Sequence, residues 1–204
     1  MHLTLNRPMN LPNQLTVSRF ALTGLFWVAA FAPFPGNRTW ALVLFSLASL
    51  TDFLDGKIAR DRKLITAFGT LMDPLADKIL TCSAFIAFIE LRQIEAWMVA
   101  VIVGRELAIT GLRLLAASKN VVLAAERLGK HKTASQITTI LATLLAMSYP
   151  QWGQVGEALF AWPILGKPWI IAFAQITQWV AVALTLYSGA TYLWRNRHLY
   201  LQDM

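Results

Sequence analysis

Trp169-Ile-Ile-Ala-Phe-Ala-Gln-Ile-Thr-Gln-Trp-Val-Ala-Val-Ala-Leu-Thr-Leu-Tyr-Ser-Gly-Ala-Thr-Tyr-Leu-Trp194 contains no charged side chain. About 20 predominantly apolar residues in a helix cross the hydrocarbon of a bilayer, so this stretch is long enough to span. Five others read the same way: residues 15–33, 40–58, 74–91, 96–117 and 134–149, the last of them short. The expected fold class is therefore all-α, an integral membrane protein with six transmembrane helices. Residues 1–204 form a single domain in this reading, with 1–12 as an N-terminal juxtamembrane segment. Breaks between spans carry turn chemistry: Pro33, Pro35 and Gly36 after the first, then Pro150, Gly153, Pro163, Gly166 and Pro168 between the fifth and sixth.

Composition agrees. Of 204 residues 56% are hydrophobic and only 14% charged, against about 25% charged in soluble chains, and the mean hydropathy is +0.51. The eight Trp suit a chain with two membrane–water interfaces. The net charge of +7 reads as cationic loops facing anionic lipid. Nothing resembles a zinc finger, an RNA-stacking motif or a basic tail, so no nucleic-acid partner is expected. The lone Cys82 excludes a disulfide framework and a thiolate metal cluster. The N-terminal region lacks the layout of a signal peptide.

Cation placement orients the spans. One set of connections carries Arg7, Lys57, Arg60, Arg62, Lys63, Lys119, Arg127, Lys130, Lys132, Arg195 and Arg197; the other carries Arg38, Arg92 and Lys167. That asymmetry puts both termini in the cytoplasm of a multi-pass protein of the cell (inner) membrane. Arg19, Lys78, Arg105 and Arg113 fall inside spans, where a cation is costly unless it meets an anion or a wet cavity.

The second span ends in Asp52-Phe-Leu-Asp55-Gly56-Lys-Ile-Ala59-Arg60. At about 100° per residue, with Asp52 at zero, Asp55 falls near about −60°, Gly56 about +40° and Ala59 about −20°, with Arg60 bordering at about +80°. Two acids thus share a face with two of the smallest residues, leaving room for a ligand near the backbone. The third span is expected to open at Asp73-Pro74-Leu-Ala-Asp77, proline in its first turn and the two acids one turn apart. A lone Asp73 at a helix start would be a cap. Four carboxylates at the ends of consecutive antiparallel helices repel unless cations intervene, and Mg²⁺ with oxygen ligands is the natural remedy. Two such ions, Mn²⁺ being the alternative metal, would clamp a phosphate ester.

Together these residues read D-x2-D-G-x2-A-R-x8-G-x3-D-x3-D, from Asp52 through Gly69 to Asp77, with every position filled. The pattern resembles the signature of the CDP-alcohol phosphatidyltransferases, six-helix membrane enzymes that commonly form homodimers around a cytoplasm-facing polar cavity with two metal ions. The resemblance implies that Asp52, Asp55 and Asp73 bind one metal, that Asp52, Asp73 and Asp77 surround the second, and that Asp77 is the catalytic base. It also implies that Asp55, Gly56, Ala59, Arg60 and Gly69 receive the cytidine nucleotide of the donor.

The acceptor is read from the cations. Gly104-Arg105-Glu106 and Arg113 share a sector of the fourth span, and Gly129-Lys130-His131-Lys132-Thr133 opens the fifth. Arg105, Arg113, Lys130, Lys132 and Thr133 could hold an acceptor phosphate. The plainer alternatives are an Arg105–Glu106 ion pair and cytoplasmic loop charge for Lys130 and Lys132. The run from Gly104 to Gln136 is similar to family members that use CDP-diacylglycerol and sn-glycerol 3-phosphate. So is Asn13-x2-Thr16-x2-Arg19, whose side chains would line the same cavity. Ser118-Lys119-Asn120 departs from that likeness where a glycine-containing turn is expected. Transfer to phosphatidylglycerol or to an inositol phosphate is the alternative within the family. An ion-coupled transporter, the alternative outside it, predicts repeats and broken helices that the sequence lacks. The partners expected are thus the two substrates, membrane lipids and a second copy of the chain.

Overall fold

The computed structural model describes residues 11–62, 67–119, 121, 123, 127–164 and 166–201. It is almost wholly helical: α1 (Leu11–Phe31), α2 (Asn37–Arg62), α3 (Ala67–Glu90), α4 (Ala96–Ser118), α5 (Arg127–Ser148), α6 (Gly153–Phe160), α7 (Trp169–Arg195) and the short α8 (His198–Leu201). The apolar segments expected at 40–58, 96–117 and 169–194 lie wholly within helices, whereas those at 15–33, 74–91 and 134–149 run one or two residues past the ends of α1, α3 and α5. Residues 1–10 of the N-terminal segment lie outside the described residues.

The chain divides into two compact units, Met1–Ser83 and Ala84–Met204. In the first, α1 packs against α2. Phe26 and Phe45 meet edge to face at 6.0 Å, and Ala29, Ala30, Ala41 and Ala48 are buried with them, small side chains that let two backbones approach. Pro33 and Pro35 end α1 by removing donors. The turn into α2 is held by Arg38, whose guanidinium donates to the Ala30 carbonyl at 2.6 Å, and by Asn37 donating to Ala32 at 3.0 Å.

In the second unit, α7 packs against both α5 and α4. The α5–α7 seam is polar at intervals. Thr139 donates to the Thr177 carbonyl at 2.8 Å, Gln136 to Thr185 at 3.5 Å and Gln178 to Thr143 at 3.4 Å. Interhelical hydrogen bonds of this kind hold helices together where no hydrophobic force separates helix from surroundings. Between α5 and α7 the expected loop has structure of its own. A 3₁₀ turn (Tyr149–Trp152) and α6 lead into a two-stranded hairpin, β1 (Pro163–Ile164) and β2 (Lys167–Pro168), paired antiparallel. Phe160 gathers Trp152, Tyr149 and Trp169 around it at 5.7, 6.1 and 5.7 Å. Gly156 makes this fold-back possible, because a Cβ there would lie 2.1 Å from the Tyr149 carbonyl oxygen.

Three local expectations are corrected. α3 begins at Ala67 rather than at Asp73-Pro74, so Pro74 sits inside the helix and cannot donate to the carbonyl one turn back. The proline start signal is overridden because the chain ahead of it is already helical, and Asp73 is therefore not an N-cap. α5 begins at Arg127, so Lys130, Lys132 and Thr133 are on the helix and not before it. At the end of α4, Lys119 has φ −94°, so this position needs no left-handed residue and hence no glycine. Its ammonium donates to the Leu199 carbonyl at 2.8 Å, tying α8 to the end of α4.

A left-handed residue does occur elsewhere. α3 ends with Arg92 N–H bonded to Ile89 O and Gln93 N–H to Phe88 O, the paired closure in which glycine usually takes the left-handed position. Here that position is Arg92, at φ 54°, a conformation costing a side-chain-bearing residue about 1–2 kcal/mol.

Among the described residues, α7 alone is a continuous helix long and apolar enough to cross a membrane by length and composition. Its Ile176, Trp179, Leu186 and Trp194 are exposed, as are Leu107 and Leu114 of α4 and Leu25 and Val28 of α1.

Candidate functional site

The backbone of α2 is helical without interruption through Asp52, Asp55, Gly56, Ala59 and Arg60, which preserves the angular spacing read from sequence. Gly69, Asp73 and Asp77 are likewise helical, on α3. The side chains of Asp52, Asp55, Ala59, Arg60 and Asp73 lie outside the described residues. Asp77 is half-buried, and its backbone carbonyl accepts from the Thr81 hydroxyl at 3.0 Å. Among the described residues no three acids, histidines or cysteines gather around one point; carboxylates as a class are the oxygen donors that a hard divalent cation takes.

On α1, Thr16 and Arg19 are both completely buried, one turn apart on the same helix. The Asn13 side chain lies outside the described residues.

The acceptor candidates are resolved more fully. Glu106 of α4 is the centre of a cluster. Its Oε1 accepts from the Lys132 ammonium of α5 and lies 3.4 Å from the Arg105 guanidinium. All three side chains are largely withdrawn from solvent, Lys132 most of all at 6% exposed. Arg105 extends across α7, where its Nη2 donates to Ser188 at 3.4 Å. Its buried Nε has no hydrogen-bond acceptor among the described residues. Arg113, two turns further along α4, is exposed. Its Nε lies 3.5 Å from the Tyr192 hydroxyl, and its guanidinium stands 5.8 Å over the Tyr192 ring. The Thr133 hydroxyl donates to Gly129 O at 3.1 Å. The Lys130 side chain lies outside the described residues.

The ion pair of Arg105 with Glu106, one of the plainer readings, is thus present, but Lys132 shares the carboxylate. Sequence reasoning missed the contribution of α7 altogether. Ser188 reaches Arg105 and Tyr192 meets Arg113, and Gly189 makes space for the cluster, since a Cβ at Gly189 would stand 2.8 Å from Arg105 Cγ. The only signal was a Ser-Gly pair and a tyrosine inside an otherwise apolar run. Gly189→Ala is expected to displace Arg105 and destabilise the protein by about 1–3 kcal/mol, the usual effect of overfilling a packed interior. A lowered unfolding midpoint in detergent checks this.

The family pattern of CDP-alcohol phosphatidyltransferase matches residues 9–187. The chain belongs to the CDP-alcohol phosphatidyltransferase family. This family is membrane-associated and works with divalent metal. Similar relatives extend over nearly the whole chain. A CDP-diacylglycerol–glycerol-3-phosphate 3-phosphatidyltransferase of Bacillus subtilis is 39% identical over 92% of this chain and 95% of its own length. The enzyme of the same name from Rickettsia bellii is 32% identical over 90% and 93%. That from Pseudomonas fluorescens is 30% identical over 84% and 86%. The family match covers both the aspartate signature and the Arg105–Glu106–Lys132 cluster.

Proposed function

We propose that this protein transfers the phosphatidyl group of CDP-diacylglycerol to sn-glycerol 3-phosphate, releasing phosphatidylglycerophosphate and CMP. The relatives' shared name supports both substrates. The observation that carries the acceptor assignment is the buried Lys132–Glu106–Arg105 cluster with Arg113 further along the same helix. Cations are costly inside a membrane protein unless an anion is to be met, and a phosphate-bearing alcohol is such an anion.

Asp52, Asp55, Asp73 and Asp77 would hold the metal, as two Mg²⁺ ions, with Mn²⁺ as the substitute. Bound metal supplies charge neutralisation at the donor pyrophosphate. The residues of the chain do the rest. Gly56 and Ala59 leave space for the cytidine nucleotide, and Arg60 and Gly69 help to seat it. Asn13, Thr16 and Arg19 line the same cavity. Arg105, Arg113, Lys130, Lys132 and Thr133 orient the acceptor through its phosphate, so that its 1-hydroxyl faces the donor's β-phosphorus. Asp77 accepts the hydroxyl proton as the new phosphorus–oxygen bond forms and the bond to CMP breaks. Holding two reactants in line in this way removes much of the entropic barrier.

The whole chain, 1–204, acts in this reading as one catalytic domain in the cell membrane. α1 to α5 and α7 provide six spans, both termini and the active site facing the cytoplasm, and the enzyme forms a homodimer. The exposed apolar faces of α1, α4 and α7 support the embedding. The donor's acyl chains stay in the bilayer while its headgroup reaches the aspartates.

Incubating the purified protein in detergent with CDP-diacylglycerol and Mg²⁺ tests the assignment. CMP release is expected only when both glycerol 3-phosphate and metal are present. Release driven by phosphatidylglycerol or inositol phosphate instead would change the product, and no release with any acceptor would sink the assignment.

A further inference from the structure

A cavity lies in the Ala84–Met204 unit, away from the cationic cluster. It is open to the surface, has a volume of about 680 Å³ and is bordered by Arg92, Gln93 and Glu95 ahead of α4 and by Gln175, Gln178 and Trp179 on α7. Arg105 sits nine residues into the same helix from Ala96, about 13 Å along its axis. None of the residues assigned to the reaction borders this cavity.

Its charged groups are unused by the fold. Arg92 and Glu95 are both exposed at the mouth, and among the described residues neither the guanidinium nor the carboxylate has a hydrogen-bond or ion-pair partner. Glu95 is the N-cap residue of α4, yet its side chain makes no cap hydrogen bond. Only its backbone carbonyl is engaged, by the N–H of Met98 at 3.0 Å and of Val99 at 3.4 Å. The floor, by contrast, is fixed: the buried Gln178 donates to the Gln93 carbonyl at 3.0 Å and to Thr143 at 3.4 Å. Lys167 donates to Gln175 at 3.3 Å, bringing a second cation to the rim. Trp97 and Trp179, both substantially exposed, pair beside the opening at 5.6 Å.

Backbone conformation supplies an independent pointer. Arg92 occupies the left-handed closure of α3, where glycine would be free of strain. Strain retained at a cavity lip argues that the side chain itself is used. A cation and an anion, three residues apart in sequence and not paired with each other, fit a ligand carrying both charges. A phosphate would accept from the Arg92 guanidinium, and an ammonium would donate to the Glu95 carboxylate. The flanking Trp pair has the amphipathic character of side chains at the headgroup level of a bilayer.

We infer that this cavity binds the phospho-ammonium headgroup of a zwitterionic membrane phospholipid, at the end of α4 remote from the cationic cluster. The inference rests on the proposed embedding of the chain in a bilayer, but not on which reaction the aspartates perform.

The test is native mass spectrometry of the full chain in detergent, titrated with phosphatidylethanolamine. Wild type, Arg92→Gly and Glu95→Gln are compared, with CMP release measured in parallel. Arg92→Gly removes the strain with the charge, so its unfolding midpoint and CMP release should equal or exceed those of the wild type. Its lipid retention should fall about tenfold, the effect of losing a charge-assisted hydrogen bond. Glu95→Gln should lose the preference for phosphatidylethanolamine over phosphatidic acid, which carries the phosphate without the ammonium. Equal retention by wild type and Arg92→Gly would overturn the inference, as would equal retention of diacylglycerol by the wild type. Displacement by free O-phosphoethanolamine at matched concentration would assign the cavity to a soluble ligand and overturn the lipid. Failure of the wild type to release CMP would count against the catalytic reading alone, because lipid retention is read separately.

Discussion

Asp77→Asn is expected to lower CMP release about 10³-fold or more, the range lost when a general base is removed from a proton transfer. The substitution keeps the shape of the side chain and removes both its charge and its ability to take a proton. Three of the four signature aspartates remain, so binding of the cytidine nucleotide should be largely retained. The local fold should also survive. Asp77 is only half-buried, and the bond from the Thr81 hydroxyl goes to its backbone carbonyl, which the substitution leaves in place. Rapid-quench turnover and a separate donor-binding measurement distinguish the two effects. Turnover within tenfold of the wild type would remove Asp77 as the base, whereas parallel loss of donor binding would make it chiefly a metal ligand.

Lys132→Met is expected to be costly in a different way. Lys132 and Glu106 form a pair withdrawn from solvent, and deleting one member of such a pair leaves the other charge buried and undercompensated. The penalty for breaking a buried pair is about 3–5 kcal/mol. Arg105 still stands 3.4 Å from the carboxylate, so the lower end, about 3 kcal/mol, is expected here. Thermal unfolding in detergent reads this directly. The double variant Lys132→Met, Glu106→Gln should recover most of the stability, because the stranded charge goes with its partner. It should not recover function: the KM for glycerol 3-phosphate should stay raised in both variants if Lys132 meets the acceptor phosphate. A double variant with normal KM would reduce Lys132 to a structural partner of Glu106.

The two substitutions sit on unlike foundations. Asp77 was visible in the sequence because a metal site needs several carboxylates at fixed helical spacing, and that spacing survives in the uninterrupted helices α2 and α3. The pairing of Lys132 with Glu106 joins residues 26 positions apart on different helices. No local pattern announces it.

The sequence by itself determined the helical character, the apolar segments and the family, because helical period, apolar run length and motif spacing are properties of neighbouring residues. It misplaced the start of α3, since a proline reads as a helix start even when the chain ahead of it is already helical. Only the tertiary structure decided which carboxylate Lys132 shares, that Ser188, Gly189 and Tyr192 of α7 belong with the α4 cations, and that Arg92 and Glu95 face a common cavity unpaired. Those relations depend on how helices cross and rotate against one another. In an apolar segment such as α7, every face looks alike in sequence, so its rotation is set by packing and by a few interhelical hydrogen bonds.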